Sequence, residues 1–213
     1  MRGALIFCLA ALTALACSSA SGAETGSATL GYSIRDTSFR DPVSGRVQQL
    51  TLEVAAPADK VWAAFATDDG LRGWAGPVAH VDLMNGGVQE TSYSISSHLG
   101  ERENIRNQIV AYVPGRLIAY QNIHVPKNAP ADFALLAALR TVIAIEPIDA
   151  GHTRVVESQV GYGEGAGFDA LYAHFSSGNQ YEFKILAQSL LGHPIDWAAE
   201  AAQAKASVGD KSR

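Results

Sequence analysis

The chain has only two cysteines, Cys8 and Cys17, and Cys8 falls inside an apolar leader. No pair therefore remains after processing to form a disulfide, and a thiolate zinc site is excluded by the same count. Runs of lysine or arginine are also missing: 16 basic residues stand against 21 acidic ones, for a formal charge of −5. A surface of this kind lacks the electrostatic footprint needed to bind phosphate backbones, so nucleic acid is not expected as a partner. No basic amphipathic segment is present that would hold the domain on anionic lipid by charge. Three motifs are absent as well: the serine elbow, the His-Glu pair spaced for zinc on a helix, and the phosphate loop. The histidines (His80, His98, His124, His152, His174 and His193) show no i, i+4 pairing, so neither a metal nor a cofactor is expected. The apolar run Ala4 to Ala16 is too short for a permanent bilayer span.

What is present suits one globular domain, with 47% hydrophobic and 17% charged residues in 213. The opening MRGALIFCLAALTALAC places one basic residue before an apolar run and then small residues, the pattern of a bacterial secretory signal. Two cleavage points compete. Ala14-Leu15-Ala16-Cys17 resembles a lipobox, which would end the leader at residue 16 and lipidate Cys17, whereas Ser21-Gly22-Ala23 offers an ordinary site after residue 23. Either way the expected location is the periplasm or cell envelope, with membrane contact only through a lipid on Cys17.

Residues 24–45, rich in Ser, Gly, Thr and Ala, read as a tether, although Thr29 to Ile34 could add a short strand. The domain proper spans 46–197, and the alanine-rich tail 198–213 is expected to fray. Val47, Leu50, Leu52 and Val54 supply the alternation of a half-buried strand. Pro57 opens a short helix with Val61, Trp62 and Phe65 on one face, and a second short helix runs from Leu71 to Trp74. Strands follow at about 78–84, 88–96, 104–113, 116–125, 141–148 and 153–162, separated by tight turns that allow only antiparallel pairing. The apolar run Phe133 to Leu139 reads as a short helix capping one end of the sheet. From Gly167 to Leu191, Phe168, Leu171, Tyr172, Phe175, Phe183, Leu186, Ala187 and Leu190 form one stripe, a helix of about seven turns. Asn179 and Glu182 interrupt it. The glycine-rich stretch Gly161 to Gly167 has the wrong spacing for a dinucleotide turn and reads as a flexible joint before that helix.

Several pieces in this order, APADKVWAAFAT with GLRGW, the MNGG turn, NIRNQIVAYVPGRL, TVIAIEPID and HFSSGNQYEFKILAQSLLGHPIDW, resemble the START-like superfamily, also called SRPBCC or helix-grip. They are most similar to its branch of heat-shock ATPase activator homologues. The resemblance covers about Thr51 to Trp197. It implies an α+β fold: a curved antiparallel sheet of six to seven strands wrapped around a long C-terminal helix, with two short helices after the first strand and an apolar cavity between. Such folds bind lipids, sterols, polyketides or hormones, and some catalyse cyclisation or hydrolysis.

Polar or amphipathic residues within apolar faces, together with Phe175 of the helix stripe, are the candidates to line that cavity: Tyr93, Asn107, Tyr120, Glu157, Tyr172, Phe175, Asn179 and Glu182. Asn179 and Glu157 carry most weight, because a buried polar group costs about 1 to 3 kcal/mol if unpaired and so demands a partner or a ligand. The expected function is an exported, non-catalytic domain that binds a small hydrophobic molecule. Two alternatives stay open. One is a cyclase, aromatase-like or hydrolytic enzyme in which Glu157 works with Asn179 or His174. The other is an envelope protein-interaction module without a ligand.

Overall fold

The computed structural model describes residues 30–127 and 129–210. The leader, Cys17 and the first part of the expected tether lie outside them. In chain order the elements are β1 (Tyr32–Asp36), β2 (Phe39–Asp41), β3 (Gly45–Val54), α1 (Ala58–Ala66), α2 (Asp68–Arg72), β4 (Val78–Val81), β5 (Val88–Ser92), β6 (Ile105–Val113), β7 (Leu117–His124), α3 (Phe133–Ala138), β8 (Arg140–Pro147), β9 (Thr153–Tyr162), α4 (Ala166–Leu190) and α5 (Trp197–Asp210).

The nine strands form one curved antiparallel sheet in the order β1-β3-β9-β8-β7-β6-β5-β4, with β2 pairing separately on β3. Strands β4 to β9 are a meander, and the early strand β3 closes onto β9. The short helices α1 and α2 connect β3 to the far edge strand β4, and α4 returns over the sheet against β3 and β1. The main core lies between these layers, built from Leu50, Leu52 and Val54 of β3, Phe65 of α1, Ile109, Ile118, Ile143, Val155, and Phe183 and Leu186 of α4. Trp74 closes one side of it, edge-on to Phe65 at 5.2 Å, with its indole N–H donated to the Ala64 carbonyl at 2.9 Å.

Several expectations change here. The sheet begins at Tyr32, because the stretch read as tether holds an alternating pair, Tyr32 and Ile34, that extends the core when β1 pairs with β3. Arg35 and Arg154 then flank Glu53 at 3.0 and 2.8 Å on the outer face. The tail read as frayed is helical through Asp210: the Asp196 carboxylate accepts from the Ala198 and Ala199 amides, both at 3.0 Å, and the alanines that follow are strong helix formers. The strand expected to reach residue 96 stops at Ser92, since Ser92, Ser94 and Ser96 hydrogen-bond locally and compete with the ladder. The loop they begin is pinned by fully buried Asn104, which donates to Glu90 at 2.6 Å and to the His98 carbonyl at 2.7 Å.

The glycine-rich stretch before α4 is a close-packed joint. At Gly161, φ is +99°, and a Cβ there would run into the Ala138 carbonyl oxygen at the end of α3. This approach seats α3 and the first half of α4 together around a second, smaller apolar cluster of Leu136, Leu139, Tyr162 and Leu171.

Candidate ligand cavity

Val47 has the opposite parity to Leu50, Leu52 and Val54 and pairs with Phe39 of β2, whereas Gln48 is in step with those three on the inner face. A bulge beside it puts two residues of β9, Val160 and Gly161, against Val47 alone. Gln48 is 2% exposed. From it a line of polar side chains crosses the inner face at one level. The register aligns Gln48 with Gln159 of β9 and Gln159 with Thr141 of β8. Thr141 in turn stands opposite Tyr120 of β7. Two residues further along β7, Asn122 is opposite Asn107 of β6, and Asn107 is opposite Gln89 of β5.

Hydrogen bonds join most of this belt. Gln159 donates to the Thr141 hydroxyl at 3.2 Å, Asn107 donates to Gln89 at 3.1 Å, and Asn122 donates to Asn107. The Tyr162 hydroxyl lies in reach of both the Gln48 and Gln159 carbonyls. From above, Asn179 of α4 donates to Gln48 at 3.1 Å and to Glu157 at 3.0 Å. The belt separates the main core from the smaller cluster, and the space above it is a cavity of about 300 Å³ walled by both. Phe65, Ile143 and Phe183 contribute one apolar wall; Val125, Leu136, Leu139 and Phe175 contribute the other.

Seven of the eight candidates meet there: Tyr93, Asn107, Tyr120, Glu157, Phe175, Asn179 and Glu182. Tyr93 is more than half exposed and stands at the rim, where its hydroxyl donates to Glu182 at 2.7 Å and its ring lies 6.2 Å from Trp197. Tyr172 does not line the cavity. Its ring meets Tyr162 edge-on at 5.0 Å and lies beneath the Arg46 guanidinium, at 5.4 Å, on the side of α4 that faces β3. Arg46 is itself fixed by Asp169 at 2.6 Å and the Gly163 carbonyl at 2.9 Å. His174 also reaches the rim, edge-on to Phe175.

Sequence reasoning missed Gln48, Gln89, Thr91, Asn122, Thr141 and Gln159. For Gln159 a signal was present, since it lies two residues from Glu157 and so shares its face. Gln48 carried the same signal, since it lies two residues before Leu50 on one strand.

Burial, and after it the charge of Glu182, pushes the Glu157 carboxyl up to about 8, so it holds its proton at neutral pH. Burial also raises Glu182, with the Tyr93 hydrogen bond pulling the other way. The Tyr120 phenol is raised by burial, and its oxygen has no hydrogen-bond partner. Among the described residues no lysine or arginine lines the cavity. None of them form a cluster of three His, Cys, Asp or Glu that could hold a metal, and no helix among them is long and apolar enough to cross a membrane. The arrangement is suited to enclosing an apolar body, hydrogen-bonding it from one side, and presenting it with a carboxylic acid.

Residues 47–180 match the family described as polyketide cyclase / dehydrase and lipid transport. No curated protein matches the chain. Among solved structures, the Aha1 dimer from Colwellia psychrerythraea is 17% identical over 68% of this chain and 95% of that one, with a TM-score of 0.52. Protein SSP2350 from Staphylococcus saprophyticus is 16% identical over 70% and 95% of the two chains, also at 0.52. DynU16, from the dynemicin biosynthetic locus, is 16% identical over 70% of this chain and 48% of its own, at 0.51. At these identities the likeness is one of fold, and the fold is START-like.

Proposed function

Because the chain belongs to the polyketide cyclase / dehydrase and lipid transport family, we propose that it binds a small, largely apolar molecule between the sheet and α4, as an exported protein of the cell envelope. The observation that carries this reading is the cavity itself. Protein interiors are close-packed, with few voids larger than a water molecule, yet about 300 Å³ is left open here between two apolar clusters and above a polar belt. That volume is at the lower end of what small-molecule sites use, and the combination of apolar walls with a few convergent polar groups is typical of them. Export is supported by the leader, whose basic start, apolar run and small residues fit a secretory signal.

A second reading is favoured by Glu157, a protonated acid held by Asn179 inside the cavity: an enzyme that moves a proton to or from the bound molecule. One experiment tests both. The full chain is expressed in a bacterial host, recovered gently from the envelope, and weighed by native mass spectrometry. The expected result is a bound molecule, with a protein mass corresponding to loss of the leader. The captured molecule is then incubated with fresh protein; a carrier returns it unchanged, an enzyme converts it. Protein that is empty, and whose melting temperature no member of a lipid panel raises, overturns the ligand-binding reading.

A further inference from the structure

The charge inside the cavity is one-sided. Glu157 from β9 and Glu182 from α4 both line it, and among the described residues no lysine or arginine does. The Arg46 guanidinium is turned to Asp169, Gly163 and two tyrosine rings. A third group points to a missing partner. Tyr120 of β7 is 8% exposed and lines the same space, and its hydroxyl oxygen has no hydrogen-bond partner. A buried polar atom left unpaired is costly, so a ligand that satisfies it gains in proportion.

Two carboxyl groups and an idle phenol oxygen offer acceptors without a matching cation. An anionic headgroup would add negative charge beside the two carboxyls in a low-dielectric space and be repelled. A neutral hydroxyl could satisfy one acceptor but would leave the carboxyls as costly as before. A primary ammonium carries three N–H donors and one positive charge, and so answers all three groups together. Resting on the ligand-binding reading above, we propose that the ligand is an amine: an apolar body bearing a protonated nitrogen that is received by Glu157, Glu182 and Tyr120.

The proposal has a proton signature. Near the two carboxyls are Tyr93 from the loop after β5, Tyr120 from β7, Tyr162 at the end of β9, Asn179 on α4 and, at the rim, His174. With the cavity empty, Glu157 is held protonated by burial and by Glu182. A cation placed beside them favours both ionised forms, so the amine enters and a proton leaves to solvent. Affinity therefore rises with pH through the range in which Glu157 ionises.

Calorimetric titrations of the mature protein with decylamine, decanol and decanoate test this, since the three share one apolar length and differ only in the headgroup. They are run at neutral pH in two buffers of different ionisation enthalpy. The expected order is amine first by about tenfold or more over the alcohol, decanoate last, with net proton release for the amine alone. Glu157→Gln and Glu182→Gln should each erase the preference for amine over alcohol. The proposal fails if the alcohol or decanoate binds as tightly as the amine, if amine binding releases no proton, or if both variants keep the preference. Should a variant not fold, the proton count on the unaltered protein decides. If none of the three binds, the ligand-binding reading fails along with this one; if the alcohol or acid binds best, only the amine assignment does.

Discussion

Glu157 is 8% exposed, opposite Leu50 on one neighbouring strand and Ile143 on the other, and Asn179 donates a hydrogen bond to its carboxyl oxygen. A carboxyl so placed weakens the fold in a definite pH window. Below about 4.5 it is protonated in folded and unfolded chains alike. As pH rises toward about 8, the unfolded chain gives up this proton while the folded one retains it, so stability declines; above 8 the loss is complete. That loss is on the order of 5 kcal/mol. Glu157→Gln keeps the acceptor for Asn179 and removes the charge. The expected outcome, read from urea unfolding at acid and alkaline pH, is a variant equal to the parent near pH 4 and more stable by a few kcal/mol near pH 9. Asn179 and Glu157 were legible in the sequence because each breaks an apolar face at a known period. Tyr172 was misplaced because the stripe told its face only to within a turn, and Arg46, distant in sequence, draws its ring away from the cavity.

Among the elements, α4 has the division of labour that most affects function. Its second half is anchored by Phe183, Ile185, Leu186, Ala187 and Leu190, whereas in its first half only Leu171 is fully buried before Asn179. Gly178 stands between them, where glycine is a poor helix former, and it faces the cavity; a Cβ built there meets no atom within 4 Å. Gly178→Ala should therefore stabilise the protein by about 0.5 to 1 kcal/mol. Gly178→Phe should keep the fold while its ring takes up the space and weakens binding of the decyl probes by about tenfold or more. Denaturant midpoints and calorimetric titration check the two halves of this prediction. The helices and most strand positions were readable from periodicity and turn residues, and the meander followed from the short connections. β1 was read only as an optional short strand at 29–34 and β2 was not read, because a Ser- and Gly-rich segment carries too few apolar residues to announce a strand that the edge of β3 then recruits.

At the scale of the whole molecule, two apolar clusters share one sheet, divided by the polar belt and the cavity. The smaller cluster, which holds α3 to the first half of α4, buries far less than the main core, so the region should open locally at lower free energy. Hydrogen exchange of the free protein should accordingly show the amides of residues 168–178 exchanging faster than those of 183–190. A bound ligand, touching both walls, should slow the first group most; uniform protection along α4 would count against this division. The fold was legible as a whole because its order of elements survives in the chain, while the belt was not, since it depends on the register of six strands. Its end at Gln48 is completed by a surplus residue on β9, where Val160 and Gly161 together stand against Val47 alone. Without that extra step Tyr162, three residues from Gln159, would fall on the opposite face by simple alternation, and its hydroxyl would no longer reach the Gln48 and Gln159 carbonyls. One residue out of phase thus sets how wet the floor beneath any guest will be.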